Sequence, residues 1–393
     1  MNKEILNPEI QSFVTANLDT DIVSLLLKNT LFNNVTIQEI AEQIEAKKKC
    51  KNKLPSWYNN SGIYYPNKLN IEQTSSEITA TYKAKITNGK SLIDLTGGFG
   101  VDCFYFSKKI DKVIHCEINK NLSEIATHNY AVLGVKNIIN KTKNGVEFLK
   151  ESTKTFDWIY IDPSRRHDQK GKVFMLSDCL PDVPKHLSQL FEKSTNILIK
   201  TSPLLDFSIG INELNSIKEI HVVAIKNEVK EILWVLEKDY KNSILIKTVN
   251  ITKPSTEILE FHLSEEKAAI SNFSLPQKYL YEPNAAILKS GAFKTIGNKL
   301  RLNKLQEHAH LYTSDELLKF PGRCFKIEKT MVYNKKELQQ LNLKKANITT
   351  RNFPESVANI RKKFKIKDGG ETYLFFTKDM SGKLIVLACS KVL

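Results

Sequence analysis

The chain has 393 residues, of which 41% are hydrophobic and 26% charged, with 58 Lys and Arg against 43 Asp and Glu. These globular proportions exclude a disordered, collagen-like or disulfide-stapled chain. No run of about 18 apolar residues predicts a membrane span, and the six Cys residues form no Cys-x-x-Cys pair. The sequence predicts a reduced, cytoplasmic protein that uses neither a membrane nor a metal.

The first 75 residues predict a helical segment that ends in a connector. Apolar residues recur at helical spacing between Ile37 and Ile44, and Thr36 with Glu39 matches the capping-box pattern. The connector is basic and rich in aromatic residues, which could stack on bases or pack into a core. Those residues are Trp57, Tyr58, Tyr64 and Tyr65.

Between residues 76 and 280, short apolar runs alternate with helix-length segments. This alternation is typical of βαβ units and predicts an α/β fold with a mostly parallel sheet. The last two runs are joined by only six residues, too few for a parallel crossover, so they predict an antiparallel hairpin. The predicted strands are 91–95, 112–116, 158–161, 196–199, 219–225 and 232–237.

The C-terminal part predicts a small linking segment over 281–322 and a small α+β domain over 323–393. The last 71 residues contain 16 Lys and Arg against 6 Asp and Glu. Such a basic domain on a near-neutral body predicts a polyanionic partner, nucleic acid above all, although a solvated Lys-rich surface gives the same count. The predicted elements are a helix at 303–308, strands at 324–328, 373–377 and 383–388, and a basic helix at 355–364.

The most informative motif is DLTGGFG at residues 94–100, where a predicted strand ends in an acid and a glycine-rich turn opens a helix. Such turns bind nucleotide-like cofactors at the carboxyl ends of strands. A dinucleotide fold requires a third small residue, and Cys103 stands there instead. Because Asp94 precedes the glycines, the motif favours the cofactor of a methyltransferase, whose amino acid part would face this carboxylate.

Two further positions fit a nucleoside-containing cofactor. Glu117 ends the next predicted strand, where a carboxylate accepts hydrogen bonds from ribose hydroxyls. Asn144, before Gly145, falls where a third strand would end and could contact the adenine. An ordinary Asn-Gly turn is the alternative for this pair.

A third motif, IDPSRR at residues 161–166, follows another hydrophobic strand. Pro163 stiffens the loop, and Asp162 could accept hydrogen bonds from an amino group. Arg165 and Arg166 suit bidentate contacts with a phosphate or a guanine edge. Ion pairs with nearby acids are the alternative for both arginines.

Together, DLTGGFG, Glu117, IDPSRR and the late hairpin resemble a class I S-adenosylmethionine-dependent methyltransferase. The nearest subgroup is the bacterial methyltransferases that end in a THUMP-like domain, a resemblance that covers about residues 70–393. It implies a Rossmann-like sheet with an antiparallel last strand, a ferredoxin-like subdomain at 281–322 and a THUMP-like domain at 323–393. THUMP domains are associated with RNA binding.

The resemblance implies S-adenosylmethionine as cofactor. Asp94, Gly98 and Gly100 would line its methionine and ribose side. Residues 72–76 resemble the segment that closes over the methionine end, and Thr96 stands where relatives usually have a glycine. The predicted cofactor contacts are Thr74, Asp94, Thr96, Gly98, Gly100, Glu117 and Asn144.

The predicted catalytic residues are Asp162, Pro163 and Arg165. Amino-methylating relatives commonly have an aromatic residue after the prolines, whereas Ser164 and Arg165 stand here. Because guanine-methylating relatives include an Arg variant, an exocyclic guanine amine is the favoured target. Arg166, Arg351, Arg361, Lys362 and Lys363 are the predicted RNA contacts.

The prediction is therefore an enzyme that methylates transfer or ribosomal RNA. Methylation of a protein or a small molecule is one alternative. A non-catalytic RNA-binding protein with a degenerate cofactor fold is the other.

Overall fold

The computed structural model describes residues 1–27, 32–165, 175–253 and 255–392, without the side chain of Arg165. The chain forms two compact units, Met1–Ile217 with Trp234–Tyr240, and Lys218–Leu233 with Lys241–Leu393. None of the helices among the described residues is long and apolar enough to cross a bilayer.

The N-terminal segment of the first unit is helical, as predicted. The capping box is confirmed, because the Thr36 side chain accepts from the Glu39 N–H while the Glu39 carboxylate accepts from the Thr36 N–H. The helices are α1 (Pro8–Ala16), α2 (Ile22–Leu26), α3 (Ile37–Lys53), α4 (Pro55–Tyr58) and α5 (Lys68–Gln73), with a 3₁₀ turn at Lys3–Leu6.

Three of the four connector aromatics are core residues. Trp57, Tyr64 and Tyr65 are buried, and the Trp57 ring lies 4.8 Å from that of Phe99 in the glycine-rich turn. The core-packing interpretation is therefore correct for these three, and stacking on bases is wrong for them. The Trp57 ring packs the N-terminal segment against the turn.

The first unit is built on a parallel sheet with the strand order β7-β4-β1-β2-β3. The predicted α/β fold with a mostly parallel sheet is thereby confirmed. Its strands are β1 (Ser91–Asp94), β2 (Lys112–Cys116), β3 (Ile138–Lys141), β4 (Phe156–Ile161) and β7 (Ser194–Thr201), and β5 (Ser164–Arg165) pairs with β6 (Cys179–Leu180) in a separate ribbon. Its other helices are α6 (Glu77–Ile86), α7 (Val101–Phe106), α8 (Lys120–Val132), α9 (Gly145–Glu151), α10 (Val183–Lys193) and α11 (Phe207–Glu213), with a 3₁₀ turn at Leu176–Asp178.

The predicted hairpin consists of β8 (Ile217–Ile225) and β9 (Glu228–Glu237). Its turn has only two residues, Lys226 and Asn227, both with positive φ, which matches the twist of antiparallel strands. Two further strands follow that the sequence analysis did not predict, β10 (Leu245–Ile251) parallel to β8, and β11 (Thr256–His262) antiparallel to β10.

The second unit also contains a seven-stranded sheet with the order β13-β14-β12-β15-β18-β17-β16. The helix predicted at 303–308 is wrong, because a two-residue strand and turns occupy that segment. The strands are β12 (Tyr279–Pro283), β13 (Asn303–Lys304), β14 (Tyr312–Ser314), β15 (Gly322–Val332), β16 (Asn347–Thr350), β17 (Thr372–Lys378) and β18 (Leu384–Lys391). The helices are α12 (Leu263–Ala268), α13 (Ala285–Ser290), α14 (Thr295–Leu300), α15 (Lys335–Gln340) and α16 (Val357–Phe364).

Candidate active site

Three carboxylates mark the carboxyl ends of three neighbouring strands in the first unit. Asp94 is the last residue of β1, Glu117 follows β2, and Asp162 follows β4. Since β2 and β4 flank β1 in parallel, the three residues lie on one edge of the sheet. Open α/β sheets bind ligands at this edge.

Thr96 joins two of these carboxylate residues. Its N–H and its hydroxyl donate to Asp94 Oδ1 at 2.9 and 3.2 Å. Its Oγ1 also accepts from the backbone N–H of Asp162 at 2.7 Å. A glycine here could not make the hydroxyl contacts, so the departure from the usual motif connects β1 directly to the Asp162 loop.

The Asp94 carboxyl is 1% exposed. Burial raises its pKa to about 7, and the negative charges of Asp102 and Asp162 add to the rise. The Thr96 N–H and the Cys103 thiol donate to the carboxylate and oppose the rise. Asp94 therefore changes its charge near neutral pH.

The glycines of the turn have different surroundings. Gly98 has φ +56°, and a Cβ there would meet only one atom within 4 Å, the Thr96 carbonyl oxygen at 3.8 Å. A Cβ on Gly97 would lie 2.1 Å from the His115 ring, and one on Gly100 2.1 Å from the Tyr130 hydroxyl. The turn is thus supported by packing at Gly97 and Gly100 and open at Gly98.

The Glu117 carboxylate is held at the rim of this open side. One of its oxygens accepts from the Gly98 N–H at 2.8 Å, and the other accepts from the Asn119 N–H at 2.7 Å. The next residue, Ile118, is 71% exposed. The sequence analysis did not select Ile118, although its position as an apolar residue directly after the acid that ends a strand can be recognised from the sequence.

Asn144 caps α9. Its Oδ1 accepts from the N–H groups of Val146 and Glu147, so the amide acts as an ordinary N-cap. A Cβ on Gly145 would lie 2.3 Å from the Leu95 carbonyl oxygen, which shows how closely α9 approaches the end of β1. Contact of Asn144 with the adenine stays a prediction.

Thr74 is half-buried at the end of α5, next to a charged network that the sequence analysis did not identify. The Ser75 hydroxyl donates to Asp102 Oδ2 at 2.8 Å, and the Tyr160 hydroxyl donates to the same oxygen. The fully buried Lys83 ammonium lies 3.2 Å from Asp102 Oδ1 and donates to Ser75 Oγ. This network ties the segment around Thr74 to α7, which begins directly after the glycine-rich turn.

The predicted catalytic segment is described only in part. The Asp162 carboxylate accepts from the Lys200 ammonium of β7, a partner that the sequence analysis missed. Pro163 is half-buried beside it. Arg165 lies in β5 but its side chain is outside the described atoms, and Arg166 lies outside the described residues.

The predicted RNA contacts in the second unit are mostly engaged within the protein. Arg351 donates from both Nε and Nη2 to one oxygen of the buried Glu282. Arg361 pairs with Asp368 and donates to the Ala346 carbonyl. The remaining two side chains are exposed. Lys363 donates to the Tyr333 hydroxyl and to Glu355, whereas Lys362 forms no hydrogen bond or ion pair with the described residues.

Comparison with known proteins assigns the whole chain to a protein family. Family models match a ferredoxin-like domain at residues 279–321 and a THUMP-like domain at 322–391. A protein of Porphyromonas gingivalis W83 assigned as a methyltransferase superposes with a TM-score of 0.89, over 100% of this chain and 99% of that chain, at 32% identity. The chain belongs to this methyltransferase family. The predicted class I S-adenosylmethionine-dependent methyltransferase with a THUMP-like C-terminus is thereby confirmed.

Two other solved structures overlap only with part of this methyltransferase. An rRNA methylase of Streptococcus thermophilus matches 41% of this chain and 94% of its own, with 11% identity and a TM-score of 0.31. TrmK of M. capricolum, in complex with S-adenosyl-homocysteine, matches 42% and 70%, with 15% identity and a TM-score of 0.32. At these scores neither carries an argument here. No curated protein matches the sequence.

Proposed function

We propose that this methyltransferase uses S-adenosylmethionine to methylate transfer or ribosomal RNA at the exocyclic amine of a base, with guanine favoured. The observation that carries the proposal is the convergence of Asp94, Glu117 and Asp162 on the edge of the sheet next to Gly98. Each carboxylate suits a different part of the reaction.

The residues around Gly98 fit the cofactor. The open side of Gly98 gives room for a ligand close to the backbone, as a cradle that a Cβ would enter. Asp94 would pair with the amino group of the methionine part, and Glu117 would accept from the ribose hydroxyls. The exposed Ile118 side chain would cover a face of the adenine. S-adenosylmethionine, when bound, supplies a methyl group whose bond to sulfur breaks with the electron pair staying on sulfur.

Asp162 would act on the target amine. The lone pair of an exocyclic amine is delocalised into the base. A carboxylate that accepts a hydrogen bond from the amine N–H makes that lone pair more available for attack on the methyl group. The same carboxylate stabilises the positive charge that develops on nitrogen until the nitrogen releases its proton to water. The Thr96 hydroxyl, which accepts from the Asp162 N–H, fixes the backbone from which the carboxylate extends.

The C-terminal domain supports RNA as substrate. Its 16 Lys and Arg against 6 Asp and Glu over residues 323–393 suit a phosphate backbone. The match to a THUMP-like domain at residues 322–391 points in the same direction.

The deciding experiment is a methyl-transfer assay with total cellular RNA. The pure protein is incubated with methyl-labelled S-adenosylmethionine and RNA from a strain that lacks the protein, with and without ribonuclease. Label that ribonuclease removes, followed by nucleoside analysis that finds a methylated exocyclic amine, supports the proposal. Label that resists ribonuclease contradicts it in favour of a protein or a metabolite, and an absence of heat on calorimetric titration with S-adenosylmethionine favours a non-catalytic protein.

The raised pKa of Asp94 predicts that cofactor affinity depends on pH. Only the ionised carboxyl attracts the ammonium of the methionine part, and the pKa of Asp94 is about 7. Affinity should therefore rise about tenfold per pH unit below about pH 7 and level off above it, with proton release on binding. Calorimetry in two buffers of different ionisation enthalpy measures that release. In the control Asp94→Asn the affinity is weak at every pH, and a flat profile in the parent would contradict the assignment of Asp94.

Lys362 is expected to contribute to RNA affinity without affecting the cofactor site. Its side chain is exposed on α16. Loss of one phosphate contact lowers the slope of log affinity against log salt by about 0.7 to 1. Binding of labelled RNA to Lys362→Ala at several salt concentrations tests this. The control is Lys136→Ala. Lys136 is an exposed lysine just before β3, so it lies at the amino end of that strand, whereas the site lies at the carboxyl ends of the strands. Equal slopes for both variants would rule out a phosphate contact at Lys362.

A further inference from the structure

Lys200 meets Asp162 at the edge of the sheet where the glycine-rich turn lies. In the pairing of β4 with β7, Ile161 stands opposite Ile199. Asp162 and Lys200 each follow by one residue, which brings their side chains to the same face at the ends of neighbouring strands. The Lys200 ammonium contacts Asp162 Oδ2, and the two side chains are 15% and 31% exposed.

The contact uses one of the two carboxylate oxygens. Oδ2 accepts from Lys200, while Oδ1 accepts no hydrogen bond from the described residues. The backbone N–H of Asp162 donates to Thr96. The residue is therefore fixed from two strands, by β7 through its side chain and by the β1 turn through its backbone, with Oδ1 left for a ligand.

The other charges that face this pair come from two directions. Asp94 of β1 is close enough for the charge of Asp162 to raise its pKa. Lys53, at the end of α3, is buried, and burial together with the positive charge of Lys200 lowers its pKa to about 8. Its ammonium donates to the carbonyl groups of Ile71 and Glu72. Among the described side chains, Lys200 is the cation that contacts the Asp162 carboxylate.

We propose that Lys200 is a positioning residue for the methyl-transfer reaction: it binds Oδ2 of Asp162 and thereby holds Oδ1 directed at the target amine. The proposal rests on the function proposed above for Asp162. Without Lys200, Asp162 keeps its backbone contact with Thr96 but loses the side-chain contact that fixes its carboxylate. A carboxylate that rotates freely presents Oδ1 to the amine in only a fraction of its conformations.

The ion pair is tested first without any substrate. The melting temperatures of Lys200→Met, Asp162→Asn and the double variant are compared with the parent at pH 7.5. A coupled pair predicts that the double variant loses at least about 2 °C less than the sum of the two single losses. Additive losses would show that the two side chains do not interact and would overturn the proposal.

The role in the reaction is tested with the RNA that the parent enzyme methylates. Lys200→Met should lower kcat by at least about 30-fold and leave both the KM for the RNA and the Kd for S-adenosylmethionine within about threefold, because orientation acts on the chemical step. Lys200→Arg, which keeps the cation, should recover at least about a tenth of the parental kcat. If Lys200→Met does not fold, Lys200→Gln is compared with Lys200→Arg in its place.

A matched control separates this effect from the loss of any lysine ion pair. Lys143 pairs with Glu151 on the surface of the same unit, and Lys143→Met should keep the parental kcat. An unchanged kcat in Lys200→Met, or a lowered kcat that Lys200→Arg does not improve, would refute the positioning role. A parent enzyme that methylates no RNA would instead refute the proposed function, and the melting temperatures distinguish the two failures.

Discussion

Replacing Asp162 with Ala is expected to abolish methyl transfer, with a loss of at least about 10³-fold in kcat, and to leave the Kd for S-adenosylmethionine within about threefold. The carboxylate follows β4 and contacts Lys200, whereas Asp94 and Glu117, which are proposed to hold the cofactor, lie at the ends of β1 and β2. Single-turnover rates with labelled cofactor and calorimetry measure the two quantities separately.

Two further variants make that result specific to the carboxylate. Asp162→Asn keeps the size of the side chain and an acceptor oxygen but loses the charge, so it should retain more activity than Asp162→Ala. Asp157 lies on the same strand and accepts from the N–H groups of Lys90 and Ser91 at 2.7 and 2.8 Å, at the other end of the strand. Asp157→Asn should lower the melting temperature and leave kcat unchanged. Full activity in Asp162→Ala would exclude Asp162 from the reaction.

The parts of the site that could be predicted from the sequence are those that follow a local pattern. A strand that ends in an acid and a glycine-rich turn is visible in a few consecutive residues, which is why Asp94, Glu117 and Asp162 could be selected together. The parallel sheet then brings them to one edge without further information.

Lys200 could not be predicted in this way. It lies 38 residues from Asp162 along the chain, and only the register of β4 with β7 makes them neighbours. Thr96 was noted as a departure from the glycine pattern, but its bond to the Asp162 N–H depends on the same strand order. Contacts between strands that are distant in sequence require the fold.

Charge counting has a related limit in the second unit. The count of basic residues is correct, but it does not show which cations are already paired. Arg351 and Arg323 both bind the buried Glu282, and the guanidinium of Arg361 binds Asp368. Glu282 is far from both of its partners in sequence, and Asp368 lies in a turn after α16. For this reason the sequence did not show that these arginines are already paired. Their contact with RNA stays a prediction, and it would require them to share or leave these partners.

Strands without a continuous apolar run were also difficult to predict. β3 has only two apolar residues and none that is fully buried, and in β10 the polar residues Lys247, Thr248 and Asn250 interrupt the apolar ones. The predicted strands of the parallel sheet have apolar runs that are mostly buried. The centre of that sheet was therefore predicted, whereas the bounds of β3 were not, nor were β10 and β11 after the hairpin.

The neighbouring glycines Gly97 and Gly98 are expected to respond to the same substitution in different ways. In Gly97→Ala the new Cβ would lie 2.1 Å from the buried His115 ring, so the turn or the ring must move. Because overpacking of a buried site costs about 1–3 kcal/mol or more, Gly97→Ala should lose both stability and cofactor binding. Thermal unfolding and calorimetry measure the two effects.

Gly98→Ala should keep the fold and lose the cofactor. Its methyl group meets only the Thr96 carbonyl oxygen at 3.8 Å, so the cost in stability is that of φ +56°, about 1 kcal/mol. That methyl group enters the open side of the turn, where the ligand would approach the backbone, and affinity for S-adenosylmethionine should fall at least about tenfold. A Gly98→Ala protein that binds the cofactor like the parent would show that the open side of the turn is not the cofactor site. Gly134→Ala is the control, because Gly134 also has a positive φ, +71°, with no atom within 4 Å of its added Cβ. Gly134→Ala should have a similar backbone strain and keep the parental affinity, whereas Gly98→Ala loses the cofactor.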